Sequence, residues 1–124
     1  MNVKIDTKEK FTVITPKVGF ISANMTVELN DLLLSYIQKD IPHIILNLKE
    51  VIDMDEEIAE KIADTQQQFY ENNISFIICE LQKNPEETLD KMQLLELLNV
   101  TPTESEASDI VQMEEIEREL LNDE

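Results

Sequence analysis

Glycine is almost missing from this 124-residue chain, where Gly19 is the only one. A loop that cradles phosphate needs several glycines so that its backbone can approach the ligand, and a P-loop or dinucleotide enzyme is therefore not expected. The lone cysteine, Cys79, cannot form an intramolecular disulfide. It sits inside the apolar run Ile74 to Leu81 with no second sulfur or histidine nearby in sequence, and reads as a buried, reduced thiol. The lone histidine, His43, excludes a multi-histidine metal centre. Its place between Pro42 and an apolar run reads as a strand-end residue rather than a general base or phosphohistidine.

No apolar stretch approaches the roughly 20 residues of a membrane-spanning helix. The opening MNVKIDTKEK has no apolar signal core, so a cytoplasmic protein is expected. Basic residues are scarce, with 10 Lys and Arg against 27 Asp and Glu and a formal net charge of -17. Nucleic acid and anionic membranes are held by clustered Lys and Arg, and with no such cluster neither is an expected partner. A basic protein surface fits the charge better, and solubility alone would also explain it. The oligomeric state is left open.

The length and the 42% hydrophobic content fit one domain over residues 1–124. Val3 and Ile5, then Phe11 and Val13, alternate with polar residues around a polar turn and predict a hairpin, with Pro16 at the end of its second strand. From Thr26 the spacing of Leu29, Leu32, Leu33, Tyr36 and Ile37 predicts a helix, stopped by Lys39, Asp40 and Pro42. Ile44 to Leu48 reads as a central strand buried on both faces. A second helix follows on the stripe Ile58, Ala59, Ile62, Ala63, Gln66, Phe69 and Tyr70, ended by Asn72 and Asn73. Residues 74–81 form another strand. Asn84, Pro85, Glu86 and Glu87 then read as cap, first helical position and acidic first turn of a third helix reaching through Leu94 to Leu98. Asn99 to Pro102 leaves room for a stub of edge strand, and Thr103-x-x-Glu106 is a capping box for an acidic last helix over about 104–121. The fold class is α/β: a mixed sheet of four to five strands, with an N-terminal antiparallel hairpin and then alternating helices and strands.

This order and several local sequences resemble the STAS domain, the fold of bacterial anti-sigma-factor antagonists and of sulfate-transporter cytoplasmic tails. The segment from Gly19 through Ser22 and Ala23, followed by Thr26, Glu28 and Leu29, is similar to the family's G-x-L-D-A stretch, with Ser22 in place of aspartate. Ile44 to Leu48, then Val51, Met54 and Asp55, is similar to the strand and loop that end in the family's D-S-S-G motif. Aligned without a gap, Asp55 falls on the aspartate, Glu56 on the phosphoacceptor serine, Glu57 on the second serine and Ile58 on the glycine. The resemblance implies a non-catalytic regulator that docks on a protein such as an anti-sigma factor of kinase-like fold, with phosphate on the serine blocking that docking. The serine itself is not there to inherit. Glu56 carries one negative charge where phosphoserine carries about 1.5 to 2. The turn therefore either mimics the phosphorylated state in part, or is matched to a basic partner, or simply caps and starts a helix.

The partner-binding set drawn from this reading is Ser22, Asn24, Asp53, Asp55, Glu56, Glu57 and Glu60. Asp53, Asp55, Glu57 and Asp64 also fall on several positions of a calcium-loop spacing. Ile58 stands where that loop needs glycine, so a solvated acidic face is expected, with no metal and no cofactor. No nucleophile lies beside a base, and the many carboxylates fall on exposed helix faces rather than in a shaped pocket, so no enzyme is expected. The alternative from another class is a small-ligand-binding sensor, with its site between the sheet end and the first two helix starts, or a scaffold domain. In the last helix, Ala107, Ile110, Val111, Met113 and Leu120 are the expected inner residues. The stripe Met113, Ile116 and Leu120 is also open to docking on another subunit or partner.

Overall fold

The structure, a computed structural model, describes residues 1–122. Its elements are β1 (Val3–Thr7), β2 (Thr12–Pro16), α1 (Ala23–Ser35), β3 (Ile44–Asn47), α2 (Glu56–Glu71), β4 (Phe76–Cys79), α3 (Lys83–Lys91), β5 (Val100–Thr101) and α4 (Glu104–Asn122), with a 3₁₀ turn at Tyr36–Gln38. The sheet order is β1-β2-β3-β4-β5. β1 pairs antiparallel with β2, from Val3 opposite Pro16 to Thr7 opposite Thr12. The remaining pairs are parallel, in register at Val13 with Ile45, Ile45 with Ile77, and Cys79 with Thr101. The α/β mixed sheet with its N-terminal hairpin is the fold class the sequence predicts.

Because the parallel strands are laid down in chain order in one direction, right-handed crossovers put α1, α2 and α3 on the same side of the sheet. The core on that side gathers Ile14, Ile44, Leu46, Phe76 and Ile78 of the sheet with Leu29 and Leu33 of α1, Ile58, Ile62 and Phe69 of α2, and Leu89 of α3. The other side would be bare without α4. There Val13, Ile45, Ile77 and Cys79 pack with Phe11 against Ala107 and Val111 of α4. Both faces of β3 and β4 are thus covered, which is why these strands read as nearly continuous apolar runs.

Several boundaries differ from the sequence expectation. α1 begins at Ala23, one turn earlier than the apolar spacing indicates, because Ser22 caps it. α3 starts at Lys83 after Gln82, so Asn84 is not its cap and Pro85 is not its first residue; proline still fits, since first-turn N–H groups need no helical partner. α3 also stops at Lys91 rather than running to Leu98. Gln93 takes a left-handed φ of 60°. Its N–H donates to Asp90 O while Leu94 N–H donates to Leu89 O, the Schellman pattern that closes a helix. The same pattern closes α2, with Asn73 as its left-handed residue, as its sequence suggests. In α4, Ala107 and Val111 face the core and Ile110 is half-buried, but Met113 and Leu120 are exposed, which corrects their assignment to the inner face.

Candidate functional site

The parallel strands β2, β3 and β4 all end on the edge where α1, α2 and α3 begin. Open α/β sheets commonly bind partners and ligands outside these carboxyl ends. The loops leaving β2 and β3 are stitched together by backbone bonds. Ile52 N–H donates to Gly19 O at 2.7 Å, Asp53 N–H donates to the same oxygen at 3.1 Å, and Phe20 bridges Asp53. This places Ser22 and Asn24, just past Phe20, beside Asp53 and the Asp55-Glu56-Glu57 turn.

Each sequence-predicted residue has a definite place in this geometry. Ser22 Oγ accepts from Met25 N–H at 3.4 Å, and its carbonyl accepts both the N–H and the hydroxyl of Thr26, so Ser22 is a half-buried cap of α1. Asn24 is exposed in the first turn of α1, and Asp53 is exposed on the bridge. Asp55 Oδ1 accepts from Ile58 N–H at 3.0 Å and caps α2. Glu56 and Glu57 form the acidic first turn, both exposed, and Glu60 is exposed one turn further along. Negative charge at this helix start meets the positive end of the peptide dipoles, which contributes about 0.3–1 kcal/mol per carboxylate. Glu56 Oε1 also lies 3.2 Å from Lys91 Nζ at the end of α3, an open surface pair of at most about 1 kcal/mol.

Four contributors to this face escape the sequence reading. Phe20 and Ile52 are apolar yet 50% and 57% exposed, so the acidic turn is bordered by two greasy side chains. Asn84 Oδ1 accepts from Met54 N–H at 2.9 Å, and Thr88 Oγ1 donates to Met54 O at 3.0 Å, so α3 holds the loop before α2. The signal for Ile52 was present, an apolar residue in a loop with no helical partner spacing. Asn84 gave no signal, because a cap and a long-range acceptor look alike in sequence.

Cys79 ends β4 at this edge but faces α4, on the side of the sheet away from the acidic turn. Burial, reinforced by Glu104 and Glu80, pushes the Cys79 thiol up to about 12 under α4. Burial and Glu114 raise Tyr70 to about 12 at the opposite end of the molecule, against the opposing hydrogen bond from Asn99. Such a thiol stays protonated and is a poor nucleophile. Among the described residues no three His, Cys, Asp or Glu side chains gather to hold a metal ion, and Ile58 at the calcium-loop glycine position is a buried helix residue. Among them, too, no helix is long and apolar enough to cross a membrane.

A family model described as the STAS domain matches residues 2–107. A search of curated protein sequences gave no significant match. Among solved structures, an anti-sigma factor antagonist from Mycobacterium paratuberculosis superposes with a TM-score of 0.78 at 14% identity, covering 90% of this chain and 93% of its own. The anti-sigma factor antagonist SpoIIAA in its unphosphorylated form gives 0.73 at 15% identity, covering 90% and 96%. The Bacillus cell fate determinant SpoIIAA in its phosphorylated form gives 0.68 at 16% identity, covering 89% and 99%. At these identities the structural likeness carries the fold.

Proposed function

The chain belongs to the STAS domain family, and from that premise we propose that it is a non-catalytic regulatory module that binds a protein partner through a permanently acidic face. The family likeness to anti-sigma factor antagonists supports a regulatory, protein-binding role. The observation that carries the finer reading is Glu56: an exposed carboxylate directly after the Asp55 cap, at the position that aligns with the family's phosphoacceptor serine. Its charge cannot be added or removed by a kinase and phosphatase. The face is therefore constitutive rather than switched.

Phe20 and Ile52 supply apolar contact area, and Asp53, Glu56, Glu57 and Glu60 supply a negative rim. This is the usual division between anchor and rim in a protein interface. Its complement is a regulatory protein, such as an anti-sigma factor, presenting an apolar cleft edged by Lys or Arg. A small-ligand site at the first two helix starts has less support. The space between α1 and α2, lined by Thr26, Leu29, Leu33, Ile58 and Ile62, amounts to about 10 Å³, room for no more than about one water.

The experiment is partner capture from the source cells with the wild-type chain, followed by titration of the purified partner with wild type, Glu56→Ser and Glu56→Lys. Glu56→Lys is expected to weaken binding at least tenfold, about 1.4 kcal/mol, with Glu56→Ser in between. Equal affinity for all three would remove the acidic turn from the mechanism.

A further inference from the structure

α4 has two apolar faces, and the fold uses one. Ala107 and Val111 pack on the sheet, and Glu114 and Arg118 continue the same side, recurring every three or four residues as one helix face does. Met113, Ile116 and Leu120 recur with the same spacing half a turn away and stand 57%, 55% and 66% exposed. They point away from the sheet, so no repacking of this fold covers them. The STAS match ends at Ala107, so this stripe lies beyond the part shared with the family.

The helix is clamped independently of the stripe. At its start Glu104 N–H donates to Glu80 Oε2 at 3.0 Å and Asn47 Nδ2 donates to Glu104 Oε1 at 2.9 Å. Further along, Glu114 accepts from Ser75 Oγ at 2.6 Å and from Tyr70 OH at 2.9 Å, and Arg118 donates to Ser75 Oγ at 2.8 Å. The outer face is thus presented on a fixed rod, and little ordering cost attends its docking.

The charges beside the stripe select its occupant. Glu106, Asp109, Glu117 and Glu119 lie on the exposed side, α4 contains no lysine, and its only arginine, Arg118, faces inward to Ser75 and Glu115. A second copy would bring carboxylates against carboxylates, and an anionic membrane would repel a chain of net charge -17. We infer that the outer stripe of α4 is a second docking surface, separate from the acidic turn, that lays Met113, Ile116 and Leu120 into an apolar groove edged by Lys and Arg on a protein partner.

The test places a photo-crosslinking amino acid at Met113, Ile116 or Leu120 of the full chain in its source cells, with Lys61 on the outside of α2 as control. The product is mapped by mass spectrometry, and the partner is purified and titrated. The inference expects the three stripe positions to reach one protein on an apolar surface bordered by Lys and Arg. Ile116→Asp with Leu120→Asp should weaken binding at least tenfold with unchanged melting temperature, because both side chains are exposed in the folded chain. Asp109→Lys with Glu117→Lys, and a rise from about 50 to 300 mM NaCl, should each weaken it severalfold. A self-crosslink with a dimer abolished by Ile116→Asp, the absence of any product, or affinity indifferent to salt and charge reversal would each overturn it. Glu56→Lys, which alters the other face, should leave this binding unchanged, so the two surfaces succeed or fail separately.

Discussion

His43 shows how one side chain ties folding to pH. Its Nδ1 accepts from Ser75 N–H at 3.1 Å and its Nε2 lies 3.0 Å from Glu115 Oε2, so the neutral ring donates on one side and accepts on the other. A second proton would have to sit on Nδ1, facing an N–H. Burial first, then Arg118, lowers its pKa from the ordinary 6.5, while Glu115 and Glu114 pull the other way. The unfolded chain therefore binds the proton more readily than the folded one. The resulting stability is fully present above about pH 6.5 and is lost as pH falls through that value toward the lower folded pKa. His43→Gln cannot titrate, so the melting temperature of wild type should fall relative to the variant between about pH 7.5 and 5.5. Parallel curves would show that the ring does not act this way. At the same scale, Asp55 was readable in sequence as a cap, because a short acid before a helical stripe leaves it few other roles. His43 was readable as a strand-end residue, but its partners, Ser75 just before β4 and Glu115 on α4, were not.

Among the elements, α3 is the instructive one. Its sequence offers Asn84-Pro85-Glu86 as a start and Leu94 to Leu98 as a continuation, and both local signals lose to tertiary demands. Asn84 is drawn off to satisfy Met54 N–H, a donor in the loop that positions the acidic turn. Gln93 accepts a left-handed backbone so that the chain can turn toward β5, and Leu94, Leu95 and Leu98 then pack on the core from outside a helix. Asn84→Ala should cost about 1 kcal/mol in urea denaturation by leaving a partly buried N–H unpartnered. Its signature is faster hydrogen exchange at Met54 with the α3 amides unchanged. Faster exchange in the first turn of α3 instead would restore Asn84 as a helix cap. Asp55→Ala, by contrast, should destabilise the start of α2 by about 1 kcal/mol.

Charge acts on the molecule as a whole. With a net charge of -17 and ion pairs such as Lys17 with Glu50 and Lys8 with Asp6 lying open to solvent, repulsion among carboxylates opposes the compact state. Salt screens it, so the melting temperature should rise by at least about 3 °C between about 20 and 300 mM NaCl. A flat or falling dependence in calorimetry would mean that the specific pairs outweigh the general repulsion. The sequence by itself determined the order of elements, since the nearly continuous apolar runs at Ile44–Leu48 and Ile74–Leu81 suit strands covered on both faces and the spacing of Ile58, Ile62 and Phe69 suits a half-buried helix. It also determined the acidity of the turn at Asp55, Glu56 and Glu57. Only the tertiary structure decided that Phe20 pairs with Asp53 to bring two helix starts together, and that Met113, Ile116 and Leu120 face outward. Periodicity reports that apolar residues share a helix face, but which of two faces meets the sheet is set by contacts between residues far apart in the chain.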